Sequence, residues 1–283
     1  MKDPLIKPKQ KDELLLKDIH SAPSAEDVFH LWWLGQSGFL IKWQGKHLLI
    51  DPYLSDSLTK KYEGTDKPHI RMTELVINPE RLDFIDVVTS SHNHTDHLDG
   101  DTLKPIIRMN PEIEFIIPEA NREFVVNRIE TDKNFPIGLN DGEQITVKGF
   151  HFTAVPAAHE TVERDENNKC KFLGYVIQFG PHTLYHSGDT ILYDNIAEIL
   201  SNFSVDVAIL PINGKDSKRK VAGNLNAKEA AALGRDIGTG IVIPCHYDMF
   251  TFNTADPGEF ITASEAIGQS YVVLQCGERW SNK

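Results

Sequence analysis

The chain has 283 residues, 40% of them hydrophobic and 25% charged, a composition that buries a sizeable core and excludes disorder over most of its length. Acids outnumber bases by 41 to 29, and the formal charge of -12 repels a phosphate backbone, which argues against nucleic acid as a partner. Cys170, Cys245 and Cys276 are odd in number with no CxxC pair, and the first twenty residues hold no apolar run beyond 14–16, so a soluble, cytoplasmic protein without a membrane segment is expected.

Residues 1–28 are polar and Pro-punctuated, with some helical character over 12–19, and read as an N-terminal arm preceding one domain over 29–283. Residues 29–50 (FHLWWLGQSGFLIKWQGKHLLI) are short apolar runs divided by Gly35, Gly38 and Gly45, the pattern of a β-meander. Asp51-Pro52 closes it, and 56–68 reads as loop because no hydrophobic period supports an element. Residues 84–89 (FIDVVT) form a buried-type strand, followed by SSHNHTDHLDG and a helix over 101–109.

Strand 114–118 and an amphipathic helix over 119–130 continue the alternation. Two strands within 144–156, a hairpin of 172–179 with 182–186 across Gly180-Pro181, and a buried strand over 205–212 come next. Asn226 is suited to cap a helix over 227–237. Strands at 241–244 and 271–275 complete the chain. The order suggests two halves, each a run of strands with helices appended, and so paired sheets covered by helices.

The chemistry concentrates in His92-Asn93-His94-Thr95-Asp96-His97. Imidazole and carboxylate are ligands of divalent cations, and four of them within six positions are more than an ordinary surface requires. In an extended segment the side chains of 92, 94 and 96 project to one side, and the turn into a helix can bring 97 beside them, so one loop could serve two adjacent ions. Neither a GxSxG motif nor a nucleophilic cysteine motif is present, which disfavours a covalent acyl-enzyme.

This HxHxDH pattern after a strand resembles the signature of the metallo-β-lactamase superfamily. That family's later stations have counterparts in order: AVPAAHE supplies His159, LYHSGDT supplies Asp189 and IVIPCHYD supplies His246. The resemblance implies an α/β (α+β) fold, a four-layer αββα sandwich, covering residues from about 30 to 276. It also implies a metal-dependent hydrolase in which His92, His94 and His159 hold one divalent ion, Asp96, His97 and His246 a second, and Asp189 bridges them. Paired ions of this kind bring the pKa of a shared water from 15.7 toward about 7, and Asp96 is the candidate to orient that water and take its proton. The N/O donor set suits Mn²⁺, Zn²⁺ or Fe²⁺. His186, close to Asp189 but outside the pattern, is read as a supporting residue, and His20, His30, His47, His69, His151 and His182 as structural.

Within the superfamily, WWLGQSGFLI, LYHSGDT, VDVAILPINGKD and IVIPCHYDMF are similar to the L-ascorbate-6-phosphate lactonase branch. That likeness implies a small, phosphorylated sugar-acid lactone as substrate, leans toward manganese and toward a homo-oligomer, and asks for a cationic pocket. Lys215 and Arg219, with Lys218 and Lys220 and the neighbouring Asn213, are the candidates to line it. Two departures weaken the substrate reading: the chain is shorter than those lactonases, and IDPYLSDS together with His159 is closer to a broader lactonase-like branch. Phosphodiester hydrolysis at the same site, or metal binding without turnover, are the alternatives.

Overall fold

The computed structural model describes residues 4–216 and 223–282. After helix α1 (Asp12–Ser21), the meander is present as β1 (Phe29–Gly35), β2 (Gly38–Trp43) and β3 (Lys46–Ile50). All seven residues of β1 and all six of β2 are buried, which is why the run reads as continuously apolar instead of alternating. A short helix α2 (Ser57–Lys61) follows where loop was expected. One apolar residue is enough to seat it: Leu58 packs with Tyr53, Met249 and Phe250 in a small cluster of its own.

Strand β4 (Val87–Thr89), helix α3 (Gly100–Met109), strand β5 (Glu114–Pro118), helix α4 (Arg122–Ile129) and strand β6 (Pro136–Leu139) complete the first half. The second contains β7 (Gln144–Val147), β8 (Phe150–Pro156), β9 (Leu173–Phe179), β10 (His182–His186), α5 (Ile196–Ser201), β11 (Val207–Pro211), α6 (Ala227–Asp236), β12 (Ile241–Cys245) and α7 (Pro257–Ile267). The chain then returns to the first sheet as β13 (Arg279–Ser281), antiparallel to β1.

Among the described residues one sheet runs β13-β1-β2-β3-β4-β5-β6 and the other β12-β11-β10-β9-β8-β7. Each half thus opens on antiparallel hairpins and switches to parallel strands once helices intervene. One apolar cluster spans both sheets, with Phe39, Phe115, Phe152 and Tyr175 at zero exposure. On the outside α4 contacts β6, and α6 contacts β11 and β12 with α7 packed on α6. This is the expected αββα sandwich.

Within 1–28, α1 lies on the first sheet. Leu15 and Ile19 are fully buried in the main core, Trp32 Nε1 donates to Asp18 Oδ2 at 2.8 Å, and Lys42 Nζ donates to the carbonyls of Ile19 and Ala22 at 2.8 and 2.9 Å. A buried ammonium from β2 therefore satisfies the carbonyl groups that a helix C-terminus leaves without partners.

Besides α2, strand β6 and helix α5 were not anticipated, and two further elements differ from the sequence reading. The stretch 271–275 makes only a single parallel bridge, Val242 to Tyr271, and the last strand lies further on at β13. Helix α7 was not anticipated, although its start carries an N-cap signature: Asp256 accepts from Gly258 N and Pro257 sits in the first turn.

Candidate metal centre

Strand β4 ends at Thr89, and the backbone leaves it through Ser90 and Ser91 into the histidine-rich loop that precedes α3. His159 lies beyond the end of β8, Asp189 beyond β10 and His246 directly after β12, so residues 67 to 154 positions away in sequence converge on the loop at the strand ends. Two backbone features set their aim. Gly188 has φ +58, and a Cβ there would stand 2.7 Å from Ser91 Cβ, so the turn that presents Asp189 against the loop requires glycine. His246 itself adopts φ +66, a left-handed conformation that a non-glycine residue holds only where its surroundings impose it.

Asp189 is the centre of the arrangement. Its Oδ2 lies 3.7 Å from His159 Nε2 and 4.0 Å from His92 Nε2. Its Oδ1 lies 2.8 Å from His246 Nε2 and 3.3 Å from His97 Nε2. Asp96 Oδ2 closes the second group at 3.6 Å from His97 Nε2. The donor atoms of His92, His94 and Asp189 lie within 4.8 Å of one another, as do those of Asp96, His97 and His246, so all seven residues expected from the sequence come together. His92, His97, His246 and Asp189 are buried, whereas His94 opens to solvent.

A shell of hydrogen bonds behind these side chains decides which nitrogen faces inward. Ser91 Oγ donates its one proton to Asp51 Oδ2, so at 3.0 Å its lone pair accepts from His92 Nδ1. His159 Nδ1 donates to Gly223 O at 2.8 Å. Both rings therefore turn the lone pair of Nε2 toward the Asp189 carboxylate, and His92 Nε2 is buried with no hydrogen-bond partner. Lone pair against carboxylate is repulsive unless a cation lies between, and the residues fit a divalent ion on that ground.

Charge distribution points the same way. Burial, reinforced by His97 and His94, holds the His92 imidazole well below its ordinary pKa, hence neutral. Burial by itself would raise Asp189, yet His246 and His97 keep it well below the usual carboxylate range. At His97 burial is overcome by Asp189 and Asp96, with Asp51 bonded to the far side of the ring, and the imidazole is pushed well above its ordinary value. Nδ1 of His97 donates to Asp51 Oδ2 at 2.6 Å, and the positive charge that the carboxylates stabilise on the ring is the charge a bound cation would replace.

Sequence reasoning passed over two of the supporting residues, Asp51 and Gln36, and anticipated a third, His186. Asp51 reads as the polar end of a strand, yet it is fully buried and accepts from Ser91 N at 2.9 Å as well as from Ser91 Oγ and His97. A carboxylate closing the apolar run HLLI was the available signal. Gln36, buried with φ +52, sends Nε2 to Asp96 Oδ2 at 2.8 Å and to within 3.1 Å of His246 Nδ1. His186 is buried and accepts from Gly188 N at 3.2 Å through Nδ1, which ties its ring to the turn that carries Asp189.

The cavity above the cluster, about 510 Å³, is lined by His94, Asp96, His159 and Asp189 together with Lys61, Lys67, Phe124, Arg128 and Asn253. Of the residues expected to bind substrate, Lys215 and Asn213 line a different cavity, of about 590 Å³. Lys215 pairs with Glu160 at 3.3 Å. Gly214 takes φ +66 directly after Asn213, and Asn213 bridges to Asn226 at the start of α6, which carries this segment toward that second cavity. Asn213 Nδ2 donates at 2.9 Å to Oδ1 of Asn253, which lines the first cavity. Lys218, Arg219 and Lys220 lie outside the described residues.

The sequence matches the family model described as Beta-lactamase superfamily domain over residues 46–247. The UPF0173 metal-dependent hydrolase of Methanopyrus kandleri is 31% identical over 256 residues, which span 88% of this chain and 97% of that protein. The chain is a UPF0173 metal-dependent hydrolase of the β-lactamase superfamily. This UPF0173 hydrolase is also 30% identical over 250 residues to its counterpart from Thermococcus kodakarensis, covering 87% and 96% of the two chains. Among solved structures it is similar to Igni18, a metallo hydrolase from Ignicoccus hospitalis, with a TM-score of 0.66, 25% identity and coverage of 90% and 99%. A possible metal-dependent hydrolase from Veillonella parvula has a TM-score of 0.70 at 18% identity, covers 89% of this chain and 98% of its own, and shares the fold. No helix among the described residues of the UPF0173 hydrolase is long and apolar enough to cross a membrane.

Proposed function

We propose that the seven side chains hold two divalent ions and that the hydrolase opens a small lactone, as the likeness to the ascorbate-phosphate lactonase branch implies. The observation that carries the dinuclear reading is the division of Asp189, one oxygen toward His92 and His159 and the other toward His97 and His246. His92, His94 and His159 would hold one ion and Asp96, His97 and His246 the other, with Asp189 between them. An all-N/O donor set suits Mn²⁺, Zn²⁺ or Fe²⁺, and the lactonase likeness favours manganese. When bound, such ions supply Lewis acidity and a water acidic enough to lose its proton near neutral pH.

The protein's own groups do the rest. Asp96 stays a carboxylate: burial opposes this, but His97 and His246 lower its pKa. It can therefore accept a proton from the attacking water, and Gln36 Nε2 fixes its orientation through the 2.8 Å bond to Oδ2. A cavity of about 510 Å³ is of small-molecule size, which favours a lactone over a polymeric phosphodiester.

Hydrolysis of lactones and of bis(p-nitrophenyl) phosphate by protein loaded with Mn²⁺ or Zn²⁺ tests the reading. Lactone opening is expected, lost in His94→Ala while circular dichroism remains that of the wild type. Turnover of the phosphodiester alone would replace the lactone reading with phosphodiester hydrolysis. Silence toward both substrates at full metal content would remove it.

A further inference from the structure

We infer that Lys61 and Arg128 form an oxyanion-binding rim over the metal cavity, so that the substrate carries a phosphate or carboxylate group besides the bond that is cleaved. This rests on the cavity being the substrate site, and it moves the anion-recognising cations from the 215–220 loop to α2 and α4.

Lys61 ends α2 and Arg128 lies in the last turn of α4, two separate elements that both approach the histidine loop. Both reach the same hydroxyl: Lys61 Nζ and Arg128 Nη1 each lie 3.4 Å from Thr95 Oγ1, the residue before Asp96. Two like charges brought to one neutral hydroxyl repel each other, an arrangement that an anion between them would relieve.

No carboxylate among the described residues lies within 4.0 Å of either cation, although Lys46, Arg81, Arg108, Arg122 and Arg164 all have acidic partners. In a chain of net charge -12, two such cations sharing one hydroxyl at a cavity make a local positive rim. The acids that line this cavity are Asp96 and Asp189, both already committed to the metal cluster.

The guanidinium is also posed for recognition. It stacks on the Phe124 ring at 4.4 Å from guanidinium carbon to ring centroid. Among the described residues its hydrogen bonds all leave from Nη1, to Asn93 O, Leu98 O and Thr95 Oγ1 at 3.2–3.4 Å. Held over an aromatic face and bonded through Nη1, it leaves Nη2 and Nε as a planar fork of the kind that engages a carboxylate or phosphate with two parallel bonds. The anion would lie beside Thr95, one residue from Asp96 and so next to the reacting end of the substrate.

The test is calorimetric titration of full-length, metal-loaded protein with inorganic phosphate and, separately, with acetate at constant ionic strength. Metal content is measured in every variant. Lys61→Gln and Arg128→Gln should each weaken at least one anion by about tenfold, the loss expected for a charge-assisted hydrogen bond. Arg128→Lys should fall between, because it keeps the charge but not the fork. Loss for phosphate alone identifies a phosphoryl substrate, and loss for acetate alone a carboxylate; either supports the rim. Wild-type affinity for both anions in both glutamine variants would overturn it. Arg128 also binds loop carbonyls, so if Arg128→Gln unfolds, Lys61→Gln decides alone. These titrations do not depend on turnover: absence of lactone opening would defeat the lactone reading while leaving the rim to stand or fall on anion affinity.

Discussion

Asp51→Asn changes one atom at zero exposure and should cost the protein both metal and stability. The carboxylate accepts from Ser91 N at 2.9 Å on Oδ1, and from Ser91 Oγ and His97 Nδ1 on Oδ2, the last at 2.6 Å. An amide offers one acceptor oxygen and one NH₂. If its oxygen faces His97, the NH₂ meets the Ser91 N–H, donor against donor. If the NH₂ faces His97, the imidazole proton must move to Nε2, the nitrogen that faces Asp189 and Asp96. The first orientation loses a hydrogen bond to a charged group and leaves a buried donor without a partner, together about 3 kcal/mol. The second blocks a ligand nitrogen, and loss of such a supporting partner costs about 10–100-fold in metal affinity, or about 1.4–2.7 kcal/mol. Plasma mass spectrometry after dialysis against graded chelator, together with urea unfolding, reads both quantities. Asp51→Asn that keeps its metal at the wild-type chelator midpoint, with unchanged unfolding, would show that the Asp51–His97 bond neither orients nor stabilises the site.

Other outcomes follow from the same geometry. His47 is buried against Phe84, and burial with Lys42 lowers its pKa from 6.5 to about 4. Its unfolded form binds the proton more readily, so the stability linked to it is complete above pH 6.5 and is lost as pH falls toward 4, a contribution of about 3 kcal/mol. His47→Gln should flatten urea stability over that interval relative to wild type, and an unchanged slope would sink the assignment. Gly188→Ala places a Cβ 2.7 Å from Ser91 Cβ at φ +58. A loss of at least about 1–2 kcal/mol is expected from the backbone conformation, with weaker metal retention, and an unshifted melting temperature would contradict it. Asp256→Ala removes the cap of α7 and should lower stability by about 1 kcal/mol without altering metal content; metal loss in that variant would mean that α7 positions the site.

The sandwich was legible because strands such as β1, β2 and β11 are buried over their whole length and α6 begins with a recognisable cap. Asn226 and Glu229 form a complete capping box in the structure. What escaped was decided by tertiary contacts. Leu58 seats α2 against Phe250, 192 positions later, which no local period reveals. Conversely, the apolar stretch 271–275 satisfies a strand pattern but has Val242 as a partner at one position only, and pairing across several residues is what makes a strand.

At the metal cluster the division is chemical. His92, His94, Asp96 and His97 were visible because four side chains of metal-binding type share six positions, and His159, Asp189 and His246 because the family resemblance supplies their order. Asp51 and Gln36 lie 46 and 60 positions from the side chains they hold, and neither residue type is unusual where it stands. Of the basic loop, conspicuous in sequence for four cations in six positions, Lys215 is described, and it lines a cavity separate from the one above the cluster. Lys61 and Arg128 stand 67 positions apart on separate helices, each an ordinary helix-surface cation until the fold carries both to Thr95. The site is thus assembled twice: ligands gather from the strand ends, and carboxylate, amide and carbonyl groups outside them fix which nitrogen each ring presents. Because that second set acts through the far side of each imidazole, its loss should appear first as altered metal affinity and only then as altered turnover, whatever bond the hydrolase cleaves.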